Sequence, residues 1–195
     1  MSTLETSAAR PEGSALHVGI AEQGKLHAID GRHGEALRHY REAMRLAVQG
    51  DAPDVFFRHY TQCVLESLEA MEAWDEILEF CDRAEAHYEH NPPPNPLARL
   101  DLASIRERRA VVLLHREQIE LAREALEQAL NDLPPTALPL ARTLHRWLGS
   151  GLRVDPRRLR QEQVRHHYFV VRREGVDPRR AIPLPPQLGS PMRRG

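Results

Sequence analysis

The side chains in this sequence that are able to do chemistry include 11 histidines, two cysteines and many carboxylates. Histidine clusters suggest zinc, which needs three or four converging ligands. His87 and His90 lie one helical turn apart and His166 and His167 are adjacent, but neither spacing supplies a third ligand. We therefore predict that the chain has no metal site.

Catalytic motifs are also missing from the sequence. It contains no GxxxxGK[ST] phosphate-binding loop, no GxSxG nucleophile turn and no HExxH zinc motif. Paired carboxylates are frequent, but on charged helices such pairs are typical of a solvated face. Cys63 and Cys81 fall at predicted packing positions, which favours buried, unreactive thiols over a redox switch. We predict a protein that is not an enzyme and has no cofactor.

Charge is distributed unevenly along the 195 residues. Residues 151–195 carry 11 arginines and four acidic residues, which gives a net charge of +7, and the rest of the chain carries −8. The arginine-rich stretch 153–180 is a possible nucleic-acid site, but its acidic residues dilute the charge and no groove-entering motif accompanies it. We do not expect nucleic acid as a partner. The sequence VDPRR occurs at 154–158 and 176–180, either as a repeated docking element or as recurring helix-start chemistry.

The expectation for localisation depends on whether the sequence contains targeting or membrane-spanning segments. The N-terminus lacks the charged and then apolar pattern of a signal peptide. No apolar run approaches the ~20 residues that a membrane-spanning helix needs. We expect a cytoplasmic protein with no membrane partner.

Helical patterning runs through residues 15–150. Clusters of Gly, Pro, Asn and Asp interrupt it and predict loops. These clusters lie at 29–34, 48–54, 90–96 and 131–136. We expect residues 1–14, which are small and polar, to be disordered.

The C-terminal part divides into a basic helical segment and a proline-rich tail. Asp155 followed by Pro156 is a good helix start, and Gly175 is a good helix stop, so the sequence predicts a helix over 156–174 within a basic segment 151–175. The last twenty residues, 176–195, contain five prolines and no helical period. We expect them to be extended and disordered.

One residue pattern recurs along the helical region. Ala36, Tyr40 and Ala43 are spaced i, i+4, i+7, so they share one helix face on which small residues admit a neighbouring helix. The same frame returns in 74–84 and in 119–129, each time after another helix. Three helix–turn–helix copies at a near-constant interval predict an all-α solenoid of stacked αα-hairpins.

The copies resemble tetratricopeptide repeats over roughly residues 17–135. The positions that match the family pattern are Gly24, Gly31, Ala36, Tyr40 and Ala43 in the first copy, Trp74 and Ala84 in the second, and Ala110, Ala122, Leu126, Ala129 and Pro134 in the third. Successive copies are 41 and 45 residues apart, against a family period of about 34, so longer first helices or loops are expected. A solenoid needs a terminal cap, so we expect a C-terminal capping helix after residue 136; the sequence leaves open whether 156–174 is this cap or docks elsewhere. An ordinary helical bundle with alanine-rich seams is the alternative.

The resemblance also implies a binding surface, because the first helices of such hairpins line a concave groove. The positions that it points to are Lys25, Ile29, His59, Gln62, Glu66, Glu69, Glu107, Val111 and His115. Three glutamates in this set favour a basic or amphipathic peptide. The family's clamp for C-terminal carboxylates is not expected, because Ala21 and Cys63 replace its polar residues. A solvated helix face is the alternative for each position.

Three functional hypotheses follow. The first is a protein-interaction module, an adaptor or co-chaperone that holds a peptide or a helix in its groove. The second is a scaffold that assembles with copies of itself. The third is a regulatory protein whose basic C-terminal segment covers the acidic groove until a partner displaces it.

Overall fold

A computed structural model describes residues 12–185, and within that range the chain is all-α. It forms α1 (Glu12–Ile29), α2 (His33–Gln49), α3 (Asp54–Ala70), α4 (Trp74–His90), α5 (Pro96–His115), α6 (Ile119–Leu130), α7 (Pro139–Gly149) and α8 (Pro156–Arg165). Two single 3-10 turns follow, at Arg173–Gly175 and Pro178–Arg180. No strand occurs between residues 12 and 185. The all-α prediction is confirmed, and none of these helices is long and apolar enough to cross a bilayer.

The chain divides into two compact units. The described part of the first unit comprises residues 12–67 and 171–185, and the second comprises residues 68–170, so the boundary falls inside α3. Consecutive helices pack against each other within the units, α1 on α2 in the first and α4 to α7 in sequence in the second. This is the helix pairing of a solenoid of αα-hairpins, as the sequence predicted.

The core of the first unit is built around small residues and tyrosines. Ala36, Tyr40 and Ala43 are fully buried, which confirms that they share the packing face of α2. Gly24 on α1 is small for a steric reason, because a Cβ atom at this position would lie 2.7 Å from the Tyr40 ring. The absence of a side chain at Gly24 therefore lets α1 approach the tyrosine of α2.

The second unit has a larger aliphatic core drawn from α5, α6, α7 and α8. Its buried residues include Leu126, Leu144, Leu148 and Leu159. Leu159 is only 1% exposed, so α8 buries its apolar side on this core, as expected for a capping helix. Asp155 begins α8 as predicted, because its carboxylate accepts a hydrogen bond from the Arg158 N–H at 2.9 Å.

The last helix is shorter than the sequence predicted, since α8 ends at Arg165 and not at residue 174. His167 adopts a left-handed backbone with φ of 53°. The Tyr168 N–H then donates to the Gln163 carbonyl and the His167 N–H to the Val164 carbonyl, which is the Schellman arrangement that closes a helix. A non-glycine residue takes the position where glycine is the usual signal, so no residue type marks this helix end.

Parts of both chain ends are ordered, although we predicted disorder there. We expected residues 1–14 to be disordered, but α1 already begins at residue 12. We expected 176–195 to be disordered, but residues 177–184 are hydrogen-bonded to α1 and α2. Residues 1–11 and 186–195 lie outside the described range. Residues 171–185 are called the tail segment below.

Candidate binding surface

Two buried glutamates of the first unit hold the backbone of the tail segment. Glu66 on α3 accepts a hydrogen bond from the Val171 N–H at 3.0 Å, and Glu22 on α1 accepts one from the Asp177 N–H at 2.6 Å. Both glutamates are largely buried, with 7% and 5% of their surface exposed. These two contacts therefore tie two backbone N–H groups of the tail segment to buried side chains of the first unit.

A close backbone contact follows further along the tail segment. The Ile182 N–H donates to the Gly19 carbonyl of α1 at 2.9 Å. A Cβ atom at Gly19 would lie 2.5 Å from the Ile182 side chain and 2.9 Å from the Arg180 carbonyl oxygen. The tail segment therefore sits directly on the backbone of α1, at a point where only glycine leaves enough room.

The end of the tail segment is held by α2. The Leu184 N–H donates to His39 Nε2 at 3.1 Å, and Arg38 donates to the Pro185 carbonyl. Arg38 also forms an ion pair with Glu35 at 3.0 Å. Side chains of α1, α2 and α3 thus form hydrogen bonds with backbone groups along most of the tail segment.

In the second unit, Glu69 is the centre of a buried polar cluster. Its carboxylate accepts hydrogen bonds from Arg108 at 2.7 Å, from the Gln163 amide at 2.5 Å and from the Tyr168 hydroxyl at 3.0 Å. The Arg108 guanidinium also lies over the Tyr168 ring, 4.6 Å from its centroid. Burial raises the pKa of the Tyr168 hydroxyl, so it is a neutral donor at physiological pH. Residues of α8 and of the loop after it are therefore tied to Glu69.

Glu107 has a structural partner of a different kind. It is 7% exposed, and its carboxylate accepts a hydrogen bond from the Ala141 N–H at 2.8 Å. Ala141 is in the first turn of α7, where backbone N–H groups have no partner within the helix. Burial raises the pKa of Glu107 to about 7, although this hydrogen bond and Arg108 act in the opposite direction. Glu107 therefore caps α7 in place of a side chain from the loop before it.

The other predicted groove positions divide between the two units. In the first unit, Lys25 forms an ion pair with Glu22 at 3.1 Å, His59 Nε2 lies 3.8 Å from the Cys63 sulfur, and Ile29 and Gln62 are half-buried. In the second unit, His115 stacks on Trp74 with 4.6 Å between ring centroids. Val111 is fully buried in the core, so it is not available to line a groove.

The three predicted groove glutamates are therefore not open to solvent. We predicted Glu66, Glu69 and Glu107 as an acidic surface for a partner, and each is buried with a hydrogen-bond donor from this same chain. Glu22 and His39, which also hold the tail segment, were not among the predicted positions. Glu22 lies three residues before Lys25, so the two side chains share one face of α1. This spacing is the sequence signal that points to Glu22 beside the predicted position Lys25.

The cysteines behave as the sequence indicated. Cys63 and Cys81 are both buried and form no disulfide. Burial raises the pKa of the Cys63 thiol to about 12 and that of Cys81 to about 11, so both are protonated and poorly nucleophilic.

No protein-family model, no curated protein and no solved structure matches the chain.

Proposed function

We propose that this chain is a non-catalytic protein-interaction module whose own tail segment occupies the peptide-binding surface of its first unit. The observation that carries the proposal is the set of backbone contacts from the tail segment to α1 and α3. Val171 and Asp177 donate their N–H groups to buried carboxylates, and Ile182 donates to a helix carbonyl. A surface that binds backbone groups in this way is suited to an extended peptide.

The charge of the tail segment supports a basic peptide as the partner. The segment contains four arginines and two acidic residues, and it is extended around its two 3-10 turns. A partner peptide of the same character would meet Glu22 and Glu66 once the tail segment has left. The resemblance to tetratricopeptide repeats favours the same conclusion, because proteins of that family bind peptides on their first helices. An adaptor or co-chaperone role is our proposal for the module.

An intramolecular ligand has a quantitative consequence. If the tail segment occupies the surface most of the time, the apparent affinity for a partner falls by the fraction of molecules in which the surface is open. Loosening the tail segment raises that fraction, and the apparent affinity rises with it. A tail segment that is a permanent part of the fold predicts no such gain.

The test is the binding of a labelled synthetic peptide with the sequence of residues 170–185 to the full-length protein. Ile182→Asp removes the apolar contact with Gly19 and leaves both carboxylates intact. We expect this variant to bind the peptide at least about tenfold more tightly than the wild type. Val164→Asp is the control. It also replaces a β-branched apolar side chain with aspartate, but Val164 is on α8 and is 59% exposed. Equal binding to all three proteins, or binding to none, contradicts the proposal.

A further inference from the structure

Two imidazoles and one carboxylate converge where α1 meets α2. His27 is in the last turn of α1, and Glu35 and His39 are one turn apart on α2. One potential ligand atom from each residue lies within 4.8 Å of those of the other two. Within residues 12–185, it is the one place where at least three His, Cys, Asp or Glu side chains lie close enough together to share a metal ion. Both histidines are buried and the glutamate is exposed, so the cluster opens to solvent on one side.

The hydrogen bonds of His39 determine its tautomer. Its Nδ1 lies 2.7 Å from the Glu35 backbone carbonyl, which can only accept, so Nδ1 carries the proton. Its Nε2 lies 3.1 Å from the Leu184 backbone N–H, which can only donate, so Nε2 presents a lone pair. A neutral imidazole oriented by an N–H bond to a backbone carbonyl is the usual state of a metal-binding histidine.

His27 has a buried nitrogen without a partner. The residue is 8% exposed, and its Nδ1 makes no hydrogen bond within the described chain. Its Nε2 lies 3.3 Å from the side-chain amide of Gln23. Rotating that amide by 180° lets its oxygen accept the Nε2 proton and leaves a lone pair on Nδ1. A buried polar atom with no partner is costly, and a bound cation is one way to satisfy it.

From this geometry we infer that His27, Glu35 and His39 form a Zn²⁺ site that competes with docking of the end of the tail segment. Two imidazole nitrogens and one carboxylate oxygen are a ligand set that zinc accepts, with water in the fourth position. Tetrahedral zinc with bonds of about 2.1 Å brings its ligand atoms to about 3.4 Å from one another. The Glu35 side chain, which is 46% exposed, is able to rotate toward the two imidazoles.

The competition follows from shared atoms. His39 Nε2 either accepts the Leu184 N–H or binds the metal, because it has a single lone pair. Glu35 is paired with Arg38, and Arg38 also donates to the Pro185 carbonyl. Zinc therefore takes one ligand directly from the tail segment and a second from the arginine that holds it. The site does not depend on the identity of any protein partner.

The experiment is a titration of the full-length protein with Zn²⁺ by calorimetry, and with Co²⁺, whose visible bands report four-coordinate geometry. We expect one site per chain and at least about tenfold weaker binding in Glu35→Gln and in His27→Gln. Glu42→Gln is the matched control, because Glu42 forms the same i, i+3 ion pair with Arg45 on the same helix. It should leave the affinity unchanged. Circular dichroism confirms that each variant is folded, and the exposed Glu35 position protects the test from misfolding.

Leu184→Pro tests the competition separately, because proline removes the N–H that His39 accepts. We expect this variant to bind Zn²⁺ about fivefold more tightly. The double variant His87→Gln/His90→Gln removes an exposed histidine pair and should not change the stoichiometry. An affinity in Glu35→Gln equal to that of the wild type, or a loss of binding in the double variant, overturns the site. An unchanged affinity in Leu184→Pro overturns the competition with the tail segment.

Discussion

Replacing Gly19 by alanine tests the docking of the tail segment without touching any charged group. The new Cβ atom would lie 2.5 Å from the Ile182 side chain, which is able to rotate away. It would also lie 2.9 Å from the Arg180 carbonyl oxygen, which belongs to the backbone and can move only with the tail segment. The substitution therefore acts against the docked state of the tail segment and leaves α1 itself intact.

The magnitude follows from the cost of overpacking a close contact, which is about 1–3 kcal/mol. That cost applies only while the tail segment is docked, so the open population rises by about 5- to 150-fold. Alanine also has a better helix propensity than glycine, by about 1 kcal/mol, and this gain stabilises α1 in both states. We therefore expect a looser tail segment in a protein whose thermal unfolding temperature is close to that of the wild type.

Limited trypsin digestion is the assay, because cleavage of a docked segment tracks the population in which it has opened. The bond after Arg180 should be cut faster in Gly19→Ala by the factor given above. The bond after Arg153 is in a loop of the second unit and serves as an internal standard. Gly34→Ala is the control variant, since a Cβ atom at Gly34 on α2 meets nothing within 4 Å. An unchanged cleavage rate at Arg180 in Gly19→Ala would mean that the tail segment does not lie on Gly19.

Three further substitutions test the buried polar groups, each by denaturant unfolding. Glu69→Ala should cost about 3–5 kcal/mol, because it removes one partner of a buried ion pair together with the acceptor for Arg108, Gln163 and Tyr168; a loss below 1 kcal/mol would contradict a buried ion pair. Glu107 has a folded-state pKa raised to about 7, so its contribution to stability is present below pH 4.5 and is lost as the pH rises to 7, a change on the order of 3 kcal/mol. Glu107→Gln should remove that pH dependence and be the more stable protein at pH 8, since an amide oxygen still accepts the Ala141 N–H. Tyr40→Phe should be neutral or stabilising by about 1 kcal/mol, because the buried hydroxyl has no hydrogen-bond partner among the described residues; a marked loss of stability would reveal a partner.

The helices and their packing faces were predictable because they depend on local sequence. Ala36, Tyr40 and Ala43 follow the helical period, so they mark the packing face of α2. Glycine and proline clusters mark the loops. Both signals come from residues that are close together in the chain. The end of α8 was not predictable in the same way. It depends on His167 in a left-handed conformation, which glycine ordinarily signals.

The state of the groove glutamates depends on contacts that local sequence does not encode. Glu66 and Glu69 were identified as inner-face positions, but their donors, Val171 and Tyr168, lie about a hundred residues further along the chain. The backbone N–H of Val171 is present at almost every residue, so no side-chain pattern marks it. Sequence reasoning therefore finds such carboxylates and leaves open whether a partner or the chain itself binds them.

Hydrogen exchange of the unmodified full-length protein measures directly whether the tail segment lies on α1, α2 and α3 as an internal ligand. The backbone N–H groups of Val171, Asp177, Ile182 and Leu184 are all donated to residues of the first unit. We predict that these four amides exchange more slowly than in an unstructured peptide of the same sequence, and that all four lose protection together in Ile182→Asp. Exchange of these amides at the unstructured rate in the wild type would mean that the tail segment is not docked on the first unit.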